Sequence, residues 1–132
     1  MSAWTKMLVG LTLAIAASPA RAEWIPVSVG TNGSVFSMDA SRIMKVGNRV
    51  QAWVKVDHSK NAAVKYRSEM QLWSFICSTR KSRLLQYTEY DSYGKVVGSN
   101  SVDDSEYTEI GYSHVTPDSV GETQLNVGCS KE

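Results

Sequence analysis

Regular alternation of apolar and polar residues marks the segment RVQAWVKVD, residues 49–57, as a β-strand. Side chains two positions apart lie on the same face of a strand, so one face here is apolar and the other mostly polar. The apolar face carries Val50, Ala52, Val54 and Val56, and the polar face carries Arg49, Gln51, Trp53, Lys55 and Asp57. The pattern predicts a strand with one face buried in a core.

The segment EMQLWSFIC, residues 69–77, is apolar on both faces. Trp73, Phe75 and Cys77 share one face, and Met70, Leu72 and Ile76 share the other. A strand with two apolar faces is typical of the interior of a sheet that is covered on both sides. We therefore expect this strand to be central, with Cys77 pointing into a packed layer.

Short β-rich runs separated by turn residues fill most of the remaining chain. The runs WIPVSVG and SVFSM flank Asn32-Gly33, and Asn-Gly between two such runs is a strong hairpin signal. Further strands are predicted at residues 41–46, 82–90 and 95–99, with polar connections at 58–68 and 99–106. The order predicts an α+β fold, in which an antiparallel meander of about six strands precedes a C-terminal helix.

The chain changes to a helical pattern near its C-terminal end. Thr116 is a suitable N-cap, Pro117 fits the first helical position, and Asp118 suits the positive end of the helix dipole. Apolar contacts are expected from Val120, Leu125, Val127 and Cys129. Gly121 and Gly128 weaken the helix, so we expect it to depend on contacts with the sheet.

The first 22 residues have the pattern of a secretory signal peptide. An apolar run shorter than the about 20 residues of a membrane span leads to Ala20-Arg21-Ala22. We expect cleavage after Ala22 and export of residues 23–132 as one domain, either to the periplasm or to the medium. No cysteine lies near this site, so we expect no lipid anchor, and no later run has the length of a membrane span.

Processing also changes the charge of the protein, because Lys6 and Arg21 leave with the signal peptide. Of the 14 basic residues, 12 then remain against 13 acidic ones, so the net charge moves from +1 to about −1. A nearly neutral domain lacks the basic surface of a general nucleic-acid-binding protein. We expect no nucleic-acid partner.

Cys77 and Cys129 are the only cysteines of the chain. In an exported protein, two cysteines most often form a disulfide. A redox centre favours Cys-x-x-Cys, and a metal site needs more ligands than His58 and His114, which are isolated in sequence. A reactive free thiol is the alternative, and we favour a disulfide that docks the C-terminal helix on the aromatic sheet face.

An ordered set of residues runs through nearly all of the mature chain. It comprises Asp39-x-Ser41-x-Ile43, Gly47, Trp53, Trp73-x-Phe75-x-Cys77, Arg80-Lys81-x-Arg83, Tyr90-Asp91, Gly94-Lys95-Val96-Val97, Pro117-Asp118-Ser119-Val120-Gly121-Glu122 and Cys129. In order and spacing, these features resemble the surface-adhesin protein E family of secreted bacterial domains. Tyr112 stands where that family commonly has a tryptophan, and the named adhesins carry a lipid anchor. The resemblance implies an antiparallel sheet with a helix held to it by the disulfide, and a binding domain that contacts host or envelope proteins.

Motifs of catalysis are missing from the sequence, which contains no Gly-x-Ser-x-Gly, no His-Glu-x-x-His and no phosphate-binding glycine loop. Asp39, Asp91 and Asp118 are better explained as turn or cap residues. We therefore predict a binding protein without enzymatic activity, cofactor or metal. The alternative is a periplasmic accessory or self-associating protein without a host ligand, which pairs with a second copy through an exposed strand edge.

Arg80, Lys81 and Arg83 follow the predicted central strand and are a candidate contact for a polyanion or a partner. The other interpretation is a solvated turn that balances the acidic residues Asp103, Asp104 and Glu106. We favour the turn, because three cations give little affinity for a polyanion at physiological salt. Six tyrosines are further candidates for protein contact, since tyrosine is enriched at interfaces. For any single tyrosine, however, we favour half-burial on a sheet face.

Overall fold

The computed structural model describes residues 21–130, so the predicted signal peptide lies outside the described residues apart from Arg21 and Ala22. The elements are β1 (Trp24–Val29), β2 (Val35–Asp39), β3 (Met44–Val46), β4 (Arg49–Asp57), β5 (Ser68–Ile76), β6 (Lys81–Tyr90), β7 (Val96–Ser101), β8 (Ser113–His114) and α1 (Val120–Cys129). All strands belong to one antiparallel sheet with the order β1-β2-β4-β5-β6-β7, in which β3 pairs with β4 and β8 with β6. The predicted α+β fold is confirmed.

Turn residues connect these strands largely as the sequence predicts. Gly33, in the β1–β2 connection, has a φ of 96°, a left-handed conformation that glycine adopts without strain. The strand predicted at residues 41–46 is shorter, because Arg42 N–H donates to the carbonyl of Asp39 at 3.2 Å. That bond closes a turn, so regular pairing with β4 begins at Met44.

The hydrophobic core lies between α1 and one face of the sheet. Its buried members are Met38, Ala52, Val54, Val56, Phe75 and Leu125. The predicted apolar face of β4 is therefore confirmed. On the polar face of the same strand, however, Arg49 is only 2% exposed, which the alternating pattern does not predict.

The strand β5 is central, as predicted, since it pairs with β4 on one side and β6 on the other. Coverage of both faces holds only at its end, where Ser74, Phe75 and Ile76 are buried. Met70 and Leu72, nearer the start of the strand, are partly exposed. The second apolar face is therefore covered over part of its length, by the loop described below.

The helix begins three residues later than the sequence predicts. Ser119 is the N-cap, and its hydroxyl accepts a hydrogen bond from the N–H of Glu122 at 3.1 Å. The Glu122 carboxylate in turn accepts from the N–H of Asp118 at 3.1 Å. Ser119 and Glu122 thus satisfy two free N–H groups at the helix start, those of Glu122 and Asp118. Thr116 contributes only its carbonyl, which accepts from the Ser119 hydroxyl at 2.6 Å.

The helix is held to the sheet by a disulfide and by close packing. Cys77, directly after β5, is bonded to Cys129, the last residue of α1, with 5.8 Å between the Cα atoms. The predicted disulfide is confirmed. Gly128 is buried, and a Cβ at this position would lie 3.2 Å from Cδ2 of Phe75. This glycine therefore lets the helix approach the sheet closely and is more than a weak helical position.

Candidate binding surface

The basic residues singled out in the sequence do not form one patch. Arg80 lies in the turn between β5 and β6 and has a positive φ of 55°. Its guanidinium donates to the Glu122 carboxylate at 3.3 Å and to the side-chain oxygen of Asn126 at 3.1 Å. Arg80 thus bonds to α1, on the core side of the sheet.

Lys81 and Arg83 are the first and third residues of β6, not part of the turn. Alternation places both side chains on one face, where Lys81 contacts Glu109 at 3.2 Å. Arg83 lies 3.5 Å from Asp104 and also donates to the carbonyl of Asp103 at 3.3 Å. Two of the three cations therefore engage the acidic segment between β7 and β8, as the balancing interpretation implies.

Residues 102–112, the 102–112 loop, fold back across the sheet face opposite α1 and are fastened there by Arg49. This side chain donates to the Asp104 carboxylate at 2.9 and 3.0 Å, and to the carbonyls of Ser105 at 2.7 Å and Thr108 at 2.6 Å. The guanidinium also lies over the ring of Tyr112, 4.6 Å from its centroid. A buried arginine that bonds both a carboxylate and two carbonyls fixes the path of the loop.

Tyr112 extends this network into the sheet. Its hydroxyl donates to Asp104 at 2.8 Å or to the buried hydroxyl of Ser74 on β5 at 2.7 Å, which are alternative acceptors for its single proton. Burial, together with the carboxylate of Asp104, raises the pKa of Tyr112, so the phenol stays neutral at physiological pH. The loop is therefore bound to two strands through polar side chains that are mostly out of contact with water.

The fastened loop presents large side chains to solvent. Tyr107 is 90% exposed and Ile110 is 77% exposed, although the backbone on either side is held by hydrogen bonds. Tyr107 also lines a cleft of about 380 Å³ together with Val46 and Gln51. Tyrosine is enriched at protein interfaces, and a loop whose backbone is already held loses less conformational entropy on binding.

A second polar cluster ties the 58–67 connection to the β1–β2 hairpin. Asn61 donates to the Ser34 hydroxyl at 2.9 Å, and that hydroxyl lies 2.7 Å from Nδ1 of His58. The other ring nitrogen of His58 lies 3.6 Å from Glu69, which also accepts from Tyr66 at 3.2 Å. Burial, with the nearby charge of Glu69, raises the pKa of Tyr66 to about 12, so this phenol is neutral.

The contacts from Ser34 to His58 and from His58 to Glu69 resemble those of a catalytic triad, in which a nucleophile, a base and an orienting carboxylate follow one another. Ser34 is only 2% exposed, however, and its oxygen already accepts from Asn61. The hydroxyl is therefore not presented to a substrate, although Ser34 and His58 line an open cleft of about 780 Å³ beside the start of α1. The cluster is best explained as a structural tie between two connections.

Comparison with known families adds a decisive observation: residues 24–130 match the model of the surface-adhesin protein E family. The chain belongs to this family. No protein of curated function and no solved structure gave a significant match. The resemblance noted in the sequence is thereby confirmed over almost the whole described chain.

Membership in the adhesin E family indicates a surface-adhesin-like protein that binds some partner. The family and the Cys77–Cys129 disulfide together indicate an exported protein. Residues 21–130 include no helix that is long and apolar enough to cross a membrane. Within the same residues there is also no group of three or more side chains suited to holding a metal ion.

The features of this candidate surface that the sequence did not predict are Arg49 and the exposed tip of the loop. Arg49 and Asp104 are 55 positions apart, and no local sequence pattern predicts that their side chains are in contact. One weak signal for this contact exists. The acidic segment with Asp103 and Asp104 needs cations as partners, and Arg49 is a cation at the first position of the predicted strand. The sequence alone also cannot separate Tyr107, which is exposed, from half-buried strand tyrosines.

Proposed function

We propose that this protein is an exported binding domain without enzymatic activity, which contacts a host or envelope protein through the 102–112 loop. The observation that carries the proposal is the exposure of Tyr107 and Ile110 on a loop that Arg49 holds in place. Because the backbone of this loop is already held in place, little of its conformational entropy is lost on binding. More of the free energy gained by burying apolar side chains there therefore contributes to affinity.

The charges around the tip define the chemistry of the partner. Asp103 and Glu106 are exposed in the loop, whereas Arg83 and Lys81 are engaged with Asp104 and Glu109. The surface is therefore apolar at its centre and acidic around it. A complementary partner is a protein with an apolar pocket bordered by lysine or arginine side chains.

Two measurements test this proposal. Antibodies against the domain should label intact producing cells if the protein is displayed, and only permeabilised cells if it is periplasmic. Purified protein should bind to host cells or to isolated envelope, and the double substitution Tyr107→Ser with Ile110→Ser should reduce that binding at least tenfold. Tyr93→Ser is the matched control, because Tyr93 is 93% exposed in the β6–β7 turn, outside this loop. Equal binding by the loop variant would contradict the proposal.

Self-association is the second candidate, and the β7 edge favours it. The strand β7 ends the sheet, and Val96 and Val97 on it are 52% and 55% exposed. At the other edge, β1 contains Pro26 and a bulge before Ser28, features that discourage strand pairing. A dimer by this route would form through β7, so Val97→Lys should convert it to a monomer in sedimentation velocity, and a monomeric wild-type protein would exclude it.

A polyanion contact at Arg80, Lys81 and Arg83 stays a prediction. Each of these cations already has an acidic partner within the protein, so little free charge is available. We expect the protein to elute from heparin resin below physiological salt. Retention above that concentration, abolished by replacing the three residues with serine, would instead establish a functional site.

A further inference from the structure

Asp39, the last residue of β2, has a fully buried carboxylate whose hydrogen bonds are unequally distributed. Its Oδ1 accepts from the N–H of Glu23 at 3.0 Å, the N–H of Ser41 at 3.0 Å and the hydroxyl of Ser41 at 2.6 Å. The buried Oδ2 accepts no hydrogen bond of good geometry, although Nε of Arg42 lies 3.3 Å from it. One oxygen of this buried carboxylate can therefore still accept a hydrogen bond from a further donor.

Strand pairing fixes the nitrogen of Glu23 beside this carboxylate. The Glu23 carbonyl accepts from the N–H of Ala40 at 2.9 Å, and the next residue, Trp24, is the register partner of Asp39. Glu23 is also the residue at which the sequence predicts that the mature chain begins. The nitrogen that contacts Asp39 is therefore the one that processing would release.

We propose that Asp39 is the acceptor site for the amino terminus that processing creates at Glu23. A leader peptidase adds water across the Ala22–Glu23 peptide bond, which leaves a carboxylate on Ala22 and an amine on Glu23. The amine takes up a proton at neutral pH, because the ordinary pKa of an α-amino group is about 7.7–8.0. A neutral amide with one donor thereby becomes an ammonium group with three donors, beside a buried anion.

The hydroxyl of Ser41 supports the same conclusion. It lies 2.6 Å from Oδ1 of Asp39 and 3.2 Å from the carbonyl of Arg21, and its single proton can serve only one of these acceptors at a time. Processing removes Arg21, so the proton is left to Asp39 alone. Cleavage then strengthens two contacts of the carboxylate.

Asp39 is ionised under these conditions. Burial alone would raise its pKa, but the hydrogen bonds from Ser41 and Glu23 and the charge of Arg42 outweigh burial and hold the pKa below its usual 3.8. Two further charged groups on neighbouring residues are the exposed side chain of Glu23 and Lys55, whose Nζ lies 5.8 Å from the ring centroid of Trp24. The new ammonium group therefore joins Arg42 as a counter-charge for the buried carboxylate.

Selective acetylation of the α-amine tests the proposal on processed protein purified from the exported fraction. Acetylation restores an amide N–H, as in the precursor, so it removes only the charge and the extra donors. We expect it to raise the unfolding equilibrium constant about tenfold at pH 7, which matches a rise of about one unit in the pKa of the amine. Because folding raises this pKa, the stabilisation is complete below about pH 7.7 and is lost as the pH rises through the folded-state value.

The Asp39→Asn variant supplies the control, since acetylation should leave its stability unchanged. Direct titration of the amine by NMR in the wild-type protein needs no variant and should give a pKa about one unit above the usual range. An ordinary amine pKa together with equal stability of the free and acetylated proteins would overturn the proposal. A mature N-terminus at any residue other than Glu23 would overturn it as well.

Discussion

Replacing Arg49 with methionine is the most informative perturbation of the proposed binding surface. Methionine has nearly the same length but no charge and no donors. The substitution therefore removes the hydrogen bonds to Asp104, Ser105 and Thr108 and leaves the strand itself intact. If these bonds hold the 102–112 loop, the variant should lose stability and release the loop.

The structure sets the size of the effect. Removing one member of a buried ion pair typically costs about 3–5 kcal/mol, because the remaining charge is left without its partner. Asp104 is 13% exposed and keeps Arg83 at 3.5 Å and the hydroxyl of Tyr112 at 2.8 Å. The loop can also move into water. We therefore expect a loss near the lower end, about 3 kcal/mol.

Urea unfolding at pH 7 measures this loss, and hydrogen exchange measures release of the loop. Arg67→Met is the matched control, because Arg67 is exposed and makes one long contact to the carbonyl of Ser59, at 3.5 Å. The control should change stability by no more than about 0.5 kcal/mol. Adding Asp104→Asn to Arg49→Met should recover part of the loss. A loss below about 1 kcal/mol for Arg49→Met, with unchanged exchange in the loop, would refute the reasoning.

Three further predictions concern the attachment of α1 and the behaviour in acid. Replacing Cys77 and Cys129 with serine should lower the free energy of unfolding by about 4 kcal/mol in chemical denaturation. An unchanged denaturation midpoint would contradict the view that the disulfide stabilises the fold. Gly128→Ala should lower stability by about 1–3 kcal/mol because its methyl group crowds Phe75. At Gly121 an added methyl group meets only an ordinary contact with the Ser119 hydroxyl, at 3.6 Å. Gly121→Ala should therefore raise stability by about 0.5–1 kcal/mol, and thermal melts that rank the two variants equally would contradict this. The lowered pKa of Asp39 contributes stability that is present above pH 3.8 and lost as the pH falls through the folded-state value, so Asp39→Asn should flatten the acid limb of the stability curve.

The sheet was predictable from sequence because its signals are local. The alternation in residues 49–57 and the turn glycines depend on side chains a few positions apart, and β4 has the predicted bounds. The disulfide followed from the export signal and the presence of two cysteines. The docking of the helix on the sheet followed from the same pairing and from the two glycines that weaken the helix, and the family resemblance implies the same arrangement.

The helix start and the proposed binding surface were harder to predict from the sequence, for different physical reasons. Thr116-Pro117-Asp118 and Ser119-x-x-Glu122 are competing local signals, and the second satisfies more N–H groups. The attachment of the 102–112 loop depends on Arg49, which is far away in sequence, so no local pattern predicts it. An arginine on the polar face of a strand is expected to be solvated, and only the folded chain brings it beneath the loop.

Photo-crosslinking from chosen surface positions can show directly whether the 102–112 loop contacts a partner protein. A benzophenone amino acid is placed at position 107 in the loop, at position 97 on the β7 edge, or at position 93 as the control, and intact cells or host-cell mixtures are irradiated. We expect a discrete crosslinked product with a second protein from position 107 and none from position 93. Crosslinking only from position 97, to a second copy of this chain, would contradict this expectation and establish self-association instead.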